Sequence, residues 1–255
     1  MRRLLYPSGA LFFIIALSAC GGSKVLKEPE PFVATQPLAA ASDQKLSVTL
    51  DWVIVRDGPG TWSRNADWDE YLLRVKNDSD QPVRMTRLIV VDSLDMPTES
   101  VAERKQLVKS SKKTARRYKK SGIKVKAGSG RGTLDVATAT AAGAGLGAAL
   151  GTGTIAGATG GAIAVGAVVL APVLAVGGVM RGVNQSKVNG VIESRQTALP
   201  LKLVAGEEFA LDMFFPIAPS PKKVELTYSD TEGEHRIVID TSAALDGLHI
   251  VTSVE

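Results

Sequence analysis

The chain has 255 residues, 45% hydrophobic and 22% charged, with a formal net charge of +4, which fits one large domain or two small ones and excludes a disordered or collagen-like chain. A single cysteine excludes an internal disulfide, and with only two histidines beside it there is no Cys/His zinc cluster. Catalysis by a Ser–His pair has only His235 and His249 to draw on.

Met1-Arg2-Arg3 is a short positive start. Residues 4–17 are uncharged, mostly apolar, too short to span a bilayer comfortably, and interrupted by Pro7, Ser8 and Gly9. This is the layout of a secretory signal peptide over residues 1–19, removed in the mature protein and left out of the fold. The run ends Leu17-Ser18-Ala19-Cys20: an aliphatic residue, two small residues, then cysteine. In these four positions the chain resembles bacterial lipoproteins and their lipobox. The resemblance implies a diacylglyceryl group on the Cys20 sulfur, cleavage before it and an acylated new N-terminus. Several acyl chains anchor stably where one does not, each buried CH₂ contributing about 0.8 kcal/mol. Gly21, rather than Asp, follows the cysteine, which in that family implies the outer membrane. The alternative is a small buried cysteine behind a signal cut elsewhere. Residues 20–44, rich in Gly, Ser, Pro and Ala with no sustained period, read as a tether.

From Lys45 the pattern alternates. Val48, Leu50, Trp52 and Ile54 fall on one face of a predicted strand, with Thr49 and Asp51 on the other. Asp57-Gly58-Pro59-Gly60 stops it. Tyr71, Leu73 and Val75 alternate in a second strand, Asn77-Asp78-Ser79-Asp80 supplies a turn, and residues 83–91 form a third strand. After residue 198 the grammar returns: residues 199–204, then Phe209, Leu211, Met213 and Phe215, then Val224, Leu226 and Tyr228, a turn at Thr231-Glu232-Gly233, and Ile237 with Ile239. Three strands over about fifty residues bury too little apolar surface to stand alone. Residues 45–96 and 198–255 are therefore expected to join as the halves of one immunoglobulin-like β-sandwich, a mainly β fold split by an insertion. Two separate small β-domains are the alternative.

The insertion opens at Pro97-Thr98-Glu99-Ser100 as a predicted helix, with Ser100 and Glu103 at capping-box spacing. Residues 104–131 hold twelve Lys or Arg and no acidic residue; the rest of the mature chain holds 16 basic and 26 acidic residues. A segment of +12 thus rides on a body of about −10, a polarity hidden in the total. Such a run is often only a solvated face. Here it precedes residues 136–180, which carry no charge in 45 positions and suffice for two helical passes turning at Thr159-Gly160-Gly161. Gly143, Gly147 and Gly151 stand four apart, as do Gly153, Gly157 and Gly161. Small residues at that spacing let helix backbones approach closely. Residues 139–166 resemble the glycine-zipper segments of bacterial envelope lipoproteins, and the plan of lipobox plus internal zipper resembles the conjugative surface-exclusion lipoproteins. A flexible Ala/Gly linker and a buried core hairpin are the competing readings. Against them, residues 163–176 are too apolar for a solvated linker, and a chain this small offers no shell for 45 apolar residues. The segment 135–181 is expected in lipid, with a return helix or linker over 182–197.

Basic flanks outside the inner membrane run against the positive-inside rule, so insertion into the outer membrane from the periplasm is expected. Lys112, Lys113, Arg116, Arg117, Lys119 and Lys120 are the candidate contacts to anionic lipid, at about 1 kcal/mol per residue near the surface. Nucleic acid, the usual partner of such a run, is set aside for an exported chain.

Motifs for catalysis are missing from the sequence. Gly128-Ser129-Gly130-Arg131-Gly132 lacks the spacing of a nucleophile elbow, and no phosphate-binding loop or dinucleotide fingerprint occurs. Asn65, Asp67 and Asp69 alternate as in a calcium loop, but Glu70 stands where glycine is needed, so a turn is expected. His235 and His249 read as ordinary histidines without a catalytic partner. Trp52 is expected in the core, and Trp62 and Trp68 as a loop-borne contact surface. The expectation is a non-catalytic outer-membrane lipoprotein without cofactor or metal, facing the periplasm, self-associating through its zipper and serving envelope attachment, assembly or integrity. Its partners are membrane lipids, further copies of itself and an envelope protein. A pore module and a tethered ligand-binding domain are the alternatives.

Overall fold

Period-two burial sets most of the strands. The computed structural model describes residues 23–29, 36–132, 134 and 185–252. These form strands β1 (Lys24–Val25), β2 (Ala39–Ser42), β3 (Leu46–Ile54), β4 (Ser63–Arg64), β5 (Trp68–Asn77), β6 (Val83–Val91) and β7 (Pro97–Glu99). Helices α1 (Arg104–Lys120) and α2 (Gln185–Arg195) follow, then β8 (Leu201–Leu203), β9 (Glu208–Pro216), β10 (Lys223–Ser229) and β11 (Glu234–Asp240). The fold is mainly β, with antiparallel sheets and two helices among the described residues.

One sheet runs β2-β3-β5-β9 and the other β11-β10-β6-β7, with β8 also on β6; β1 and β4 form a separate pair. Segments from either side of the insertion therefore interleave in both sheets. Leu73 of β5 pairs with Leu211 of β9, and Leu88 of β6 with Leu226 of β10. Leu46, Val48 and Leu50 of β3, Leu73 and Val75 of β5, Met85 and Val90 of β6, and Leu211, Met213 and Phe215 of β9 join one hydrophobic cluster with Val224 and Leu226 of β10. Burial of this continuous apolar core is the main stabilising force.

Four local expectations are corrected. A register shift between Leu50 and Trp52 puts Trp52 opposite Leu72, not on the Leu50–Leu73 face, so β3 is buried on both sides from Asp51 onward. A bulge adds one residue to one strand and turns the following side chains over. Pro97–Glu99 is strand, not helix, because its backbone pairs with Ile89–Val91 of β6. The Ser100–Glu103 capping box is not made either: Glu103 is the N-cap without a side-chain bond, and the amide of Arg104 donates instead to Asn189 Oδ1 of α2 at 3.1 Å. Two stretches of the expected tether are also held. Ser23 is buried and donates to the Asn65 carbonyl at 3.2 Å, Lys24–Val25 pairs with β4, and Ala39–Ser42 forms β2.

A second cluster lies between β9 and the helices. Trp62, Ala66, Trp68, Leu107 of α1, Val188 and Ile192 of α2, and Phe214 are all buried in it, with Val25 against them. The two necks of the insertion run along the open edge of β9, where the Val101 amide donates to the Phe214 carbonyl and the Thr197 amide to the Asp212 carbonyl, each at 2.8 Å. An exposed sheet edge invites pairing with another chain, and here it is covered.

Candidate functional site

The basic helix is shaped by what it buries. Leu107, Ser111, Thr114 and Tyr118 recur at helical spacing and are its buried residues. Ser111 Oγ donates to the Asp67 carbonyl at 2.6 Å and accepts the Ile217 amide at 3.0 Å. Tyr118 shares a hydrogen bond with Ser93 Oγ at 2.9 Å, and burial pushes its hydroxyl up to about 12. The helix stops at Ser121-Gly122, Gly122 taking φ +77°, with the Ile123 amide returning to the Tyr118 carbonyl. Arg117, Lys119 and Lys120 sit in the last turn, where positive charge complements the helix dipole.

The other face is cationic. Lys105, Lys109, Lys112, Lys113, Arg116, Lys119 and Lys120 are exposed, and none forms an ion pair among the described residues. Arg117 departs from its expected place in this set. It is half-buried, 3.6 Å from the buried Asp92 carboxylate, and serves the body as well as the surface. Beyond the helix, Lys124 and Lys126 extend the exposed charge.

At the root of the insertion lies a polar cluster that reading the sequence missed. Arg195 of α2 pairs with Glu70 of β5, its Nε donates to Asp212 Oδ2 of β9 at 3.0 Å, and its guanidinium lies 5.8 Å from the Trp62 ring centre. Trp62 Nε1 donates to Glu70 Oε2 at 2.5 Å. Burial pushes the Glu70 carboxyl well above the usual carboxylate range, the neighbouring Asp212 adds to the rise, and Arg195 opposes it. Two carboxylates share one guanidinium, Glu70 being only 1% exposed. The sequence signalled it only by two adjacent carboxylates, Asp69 and Glu70, just before the apolar run Tyr71-Leu72-Leu73. Trp62 and Trp68, expected as a contact surface, are core residues here, each 2% exposed. Trp62 meets Phe214 edge-on at 6.2 Å.

The histidines also gain partners. His249 is fully buried: its Nε2 lies 2.8 Å from Asp69 Oδ2, and its Nδ1 accepts the Gly128 amide at 3.0 Å. His235 stacks on Tyr228 at 5.0 Å and lies 3.1 Å from Asp230. Asp230, Glu232 and His235 bring ligand atoms within 4.8 Å of one another, but the Lys45 ammonium already occupies that acidic corner, 2.5 Å from Asp230 and 2.6 Å from Glu232. Asn65, Asp67 and Asp69 do not converge. Arg56 takes Asn65 and Asp67, while Asp69 turns to His249. A groove of about 450 Å³ opens where β6 lies bare between β7 and β8, lined by Thr86, Leu88 and Leu199 and crossed by the Arg87–Glu99 ion pair.

Among the described residues no helix is long and apolar enough to cross a membrane. Cys20 and the zipper glycines Gly143, Gly147, Gly151, Gly153, Gly157 and Gly161 lie outside the described residues. The chain matches no protein-family model, no curated protein and no solved structure.

Proposed function

We propose that the protein is a non-catalytic outer-membrane lipoprotein, acylated at Cys20, whose body rests against the bilayer through the cationic face of α1. The carrying observation is that face: seven exposed basic side chains on one helix with no carboxylate partner among the described residues. Two further features support the reading. Ser23 is tied into the body, and only Gly21 and Gly22 separate it from Cys20, three Cα–Cα steps with a reach of roughly 11 Å. Acyl chains at Cys20 therefore keep the body close to lipid. The same helix leads, through residues 123–131, into the uncharged 136–180.

The body is read as an immunoglobulin-like sandwich. β3, β5 and β9 share one sheet and β6, β10 and β11 the other, matching the A-B-E and G-F-C order of that fold. The place of a D strand beside β9 is taken by the necks of the insertion. Self-association through the zipper and a role in envelope attachment, assembly or integrity complete the proposal.

The test uses purified full-length Cys20→Ala protein and phosphatidylglycerol-containing vesicles, with pure phosphatidylcholine vesicles as comparison. Binding should favour the anionic vesicles and weaken as salt rises. Adding Lys112→Glu, Lys113→Glu and Arg116→Glu should weaken binding by about a hundredfold, from about 1 kcal/mol per residue near such a surface. Equal binding to both vesicles, or indifference to the three reversals, overturns the role of α1.

A further inference from the structure

Residues 123–131 leave α1 and cross to the C-terminal segment as a strap, ending one turn before Leu134, which is buried in the main core. The C-terminal segment holds them by backbone bonds. The Lys126 amide donates to the His249 carbonyl at 2.9 Å, the His249 amide to the Ser129 carbonyl at 2.6 Å, and the Val251 amide to the Lys124 carbonyl at 2.9 Å. One bond of a different kind lies at the centre: the Gly128 amide donates to His249 Nδ1. That contact requires Nδ1 to be unprotonated, which puts the ring proton on Nε2, toward Asp69.

We propose that His249 is a proton-operated latch on this strap, closed when its imidazole is neutral and loosened when Nδ1 gains a proton. The second proton would arrive on the side away from Asp69, leaving two donors, Nδ1–H and the Gly128 N–H, facing each other at the 3.0 Å they now span. Asp69 holds the other nitrogen, so the ring stays with β5 and the strap gives way. Gly128 cannot retreat inward. It has φ +75°, and a Cβ placed there would lie 2.1 Å from the Arg56 carbonyl. It can move only outward.

Other polar groups flank the ring and the strap. From β5 come Asp69, whose Oδ1 has no hydrogen-bond partner, and the buried Tyr71, whose hydroxyl also has none. Arg56 offers Gly128 only its carbonyl, its guanidinium being held by Asp67 and Asn65. The Lys124 and Lys126 side chains are exposed, and Ser129 meets His249 through its carbonyl. Because the strap joins α1 to the uncharged segment, the latch sets how firmly that junction is tied to the body. The latch rests on hydrogen bonding alone and is independent of membrane binding.

The test is amide hydrogen exchange on the full-length protein between about pH 8 and pH 5, the range in which imidazoles ordinarily change charge, expressed as protection corrected for intrinsic exchange. Protection over residues 124–130 should fall by about tenfold or more toward the acid end while the β5–β9 amides hold. His249→Gln, whose amide can donate to Asp69 and accept from Gly128, should show strap protection independent of pH. Imidazole ¹⁵N shifts of the wild type, needing no variant, should show the Nε2–H form at the alkaline end and a second proton appearing together with the loss of protection. Strap protection unchanged across the range, a histidine that gains its proton without loosening the strap, or a His249→Gln protein that follows the wild-type profile would each overturn the latch.

Discussion

Glu70 makes a demanding test of the cluster at the root of the insertion. If it is native in its protonated form, Glu70→Gln replaces one neutral group by another of the same shape, the amide donating toward Asp212 and accepting from Trp62 or Arg195. The expected cost in acid is within about 1 kcal/mol. Its native carboxyl titrates above the unfolded one, so the contribution of Glu70 to stability is complete below the unfolded carboxyl value and is lost as pH rises through the folded value. In between, the unfolded chain has released a proton that the native state retains, and wild-type stability falls by about 1.4 kcal/mol per pH unit from this group. Glutamine has no such proton, so the variant should gain on the wild type at that rate from about pH 4.5 upward. Arg195→Ala should behave in the opposite sense, costing about 3–5 kcal/mol at neutral pH because it leaves the Asp212 charge and Glu70 without their cation. Urea unfolding at a series of pH values reads both. A Glu70→Gln curve parallel to the wild type at every pH would refute the protonation assignment, and a loss under about 1 kcal/mol for Arg195→Ala would refute the pairing.

Two further predictions concern glycine. At Gly130, φ is +64° and an added Cβ would lie 1.9 Å from the Gly247 carbonyl, whereas at Gly122, φ +77°, nothing lies within 4 Å; Gly130→Ala should therefore destabilise by about 3 kcal/mol or more and Gly122→Ala by about 1–2, and equal losses on denaturation would contradict the close approach. For the zipper, Gly147→Leu with Gly151→Leu should abolish oligomers captured by crosslinking in membranes, since the bulk separates helix backbones; oligomers of unchanged abundance would remove that role.

Long strands with clean alternation were readable from the chain alone. Val83–Val91 has the bounds expected of it, and Phe209, Leu211, Met213 and Phe215 do lie along β9. What escaped was decided by partners far away in sequence. Pro97–Glu99 has helix-opening residues but becomes a strand because β6 needs an edge partner. Trp52 lost its expected face to a single bulge, which alternation cannot reveal. Trp62 and Trp68 sit among turn residues, and only Phe214 and the two helices make them core. The inner face of α1 was hidden because two of its four buried residues, Ser111 and Thr114, are polar, and Ser111 is held by hydrogen bonds rather than by apolar matching. His249 was unreadable for a related reason. Its partners, Asp69 and Gly128, stand 180 and 121 positions away. The basic exposed face of α1, by contrast, needed only composition and period.

Interleaving of the two halves has a consequence for biogenesis. A chain delivered from its N-terminus presents β3, β5 and β6 long before β9 and β10 exist to pair with them, and a late contact, His249 with Asp69, must close a loop of 180 positions. Loop closure of that length is entropically slow, and waiting strands are prone to aggregate. The nascent protein therefore stays vulnerable until the segment around His249 emerges, and a truncation before it would leave Asp69 and the strap without their partner.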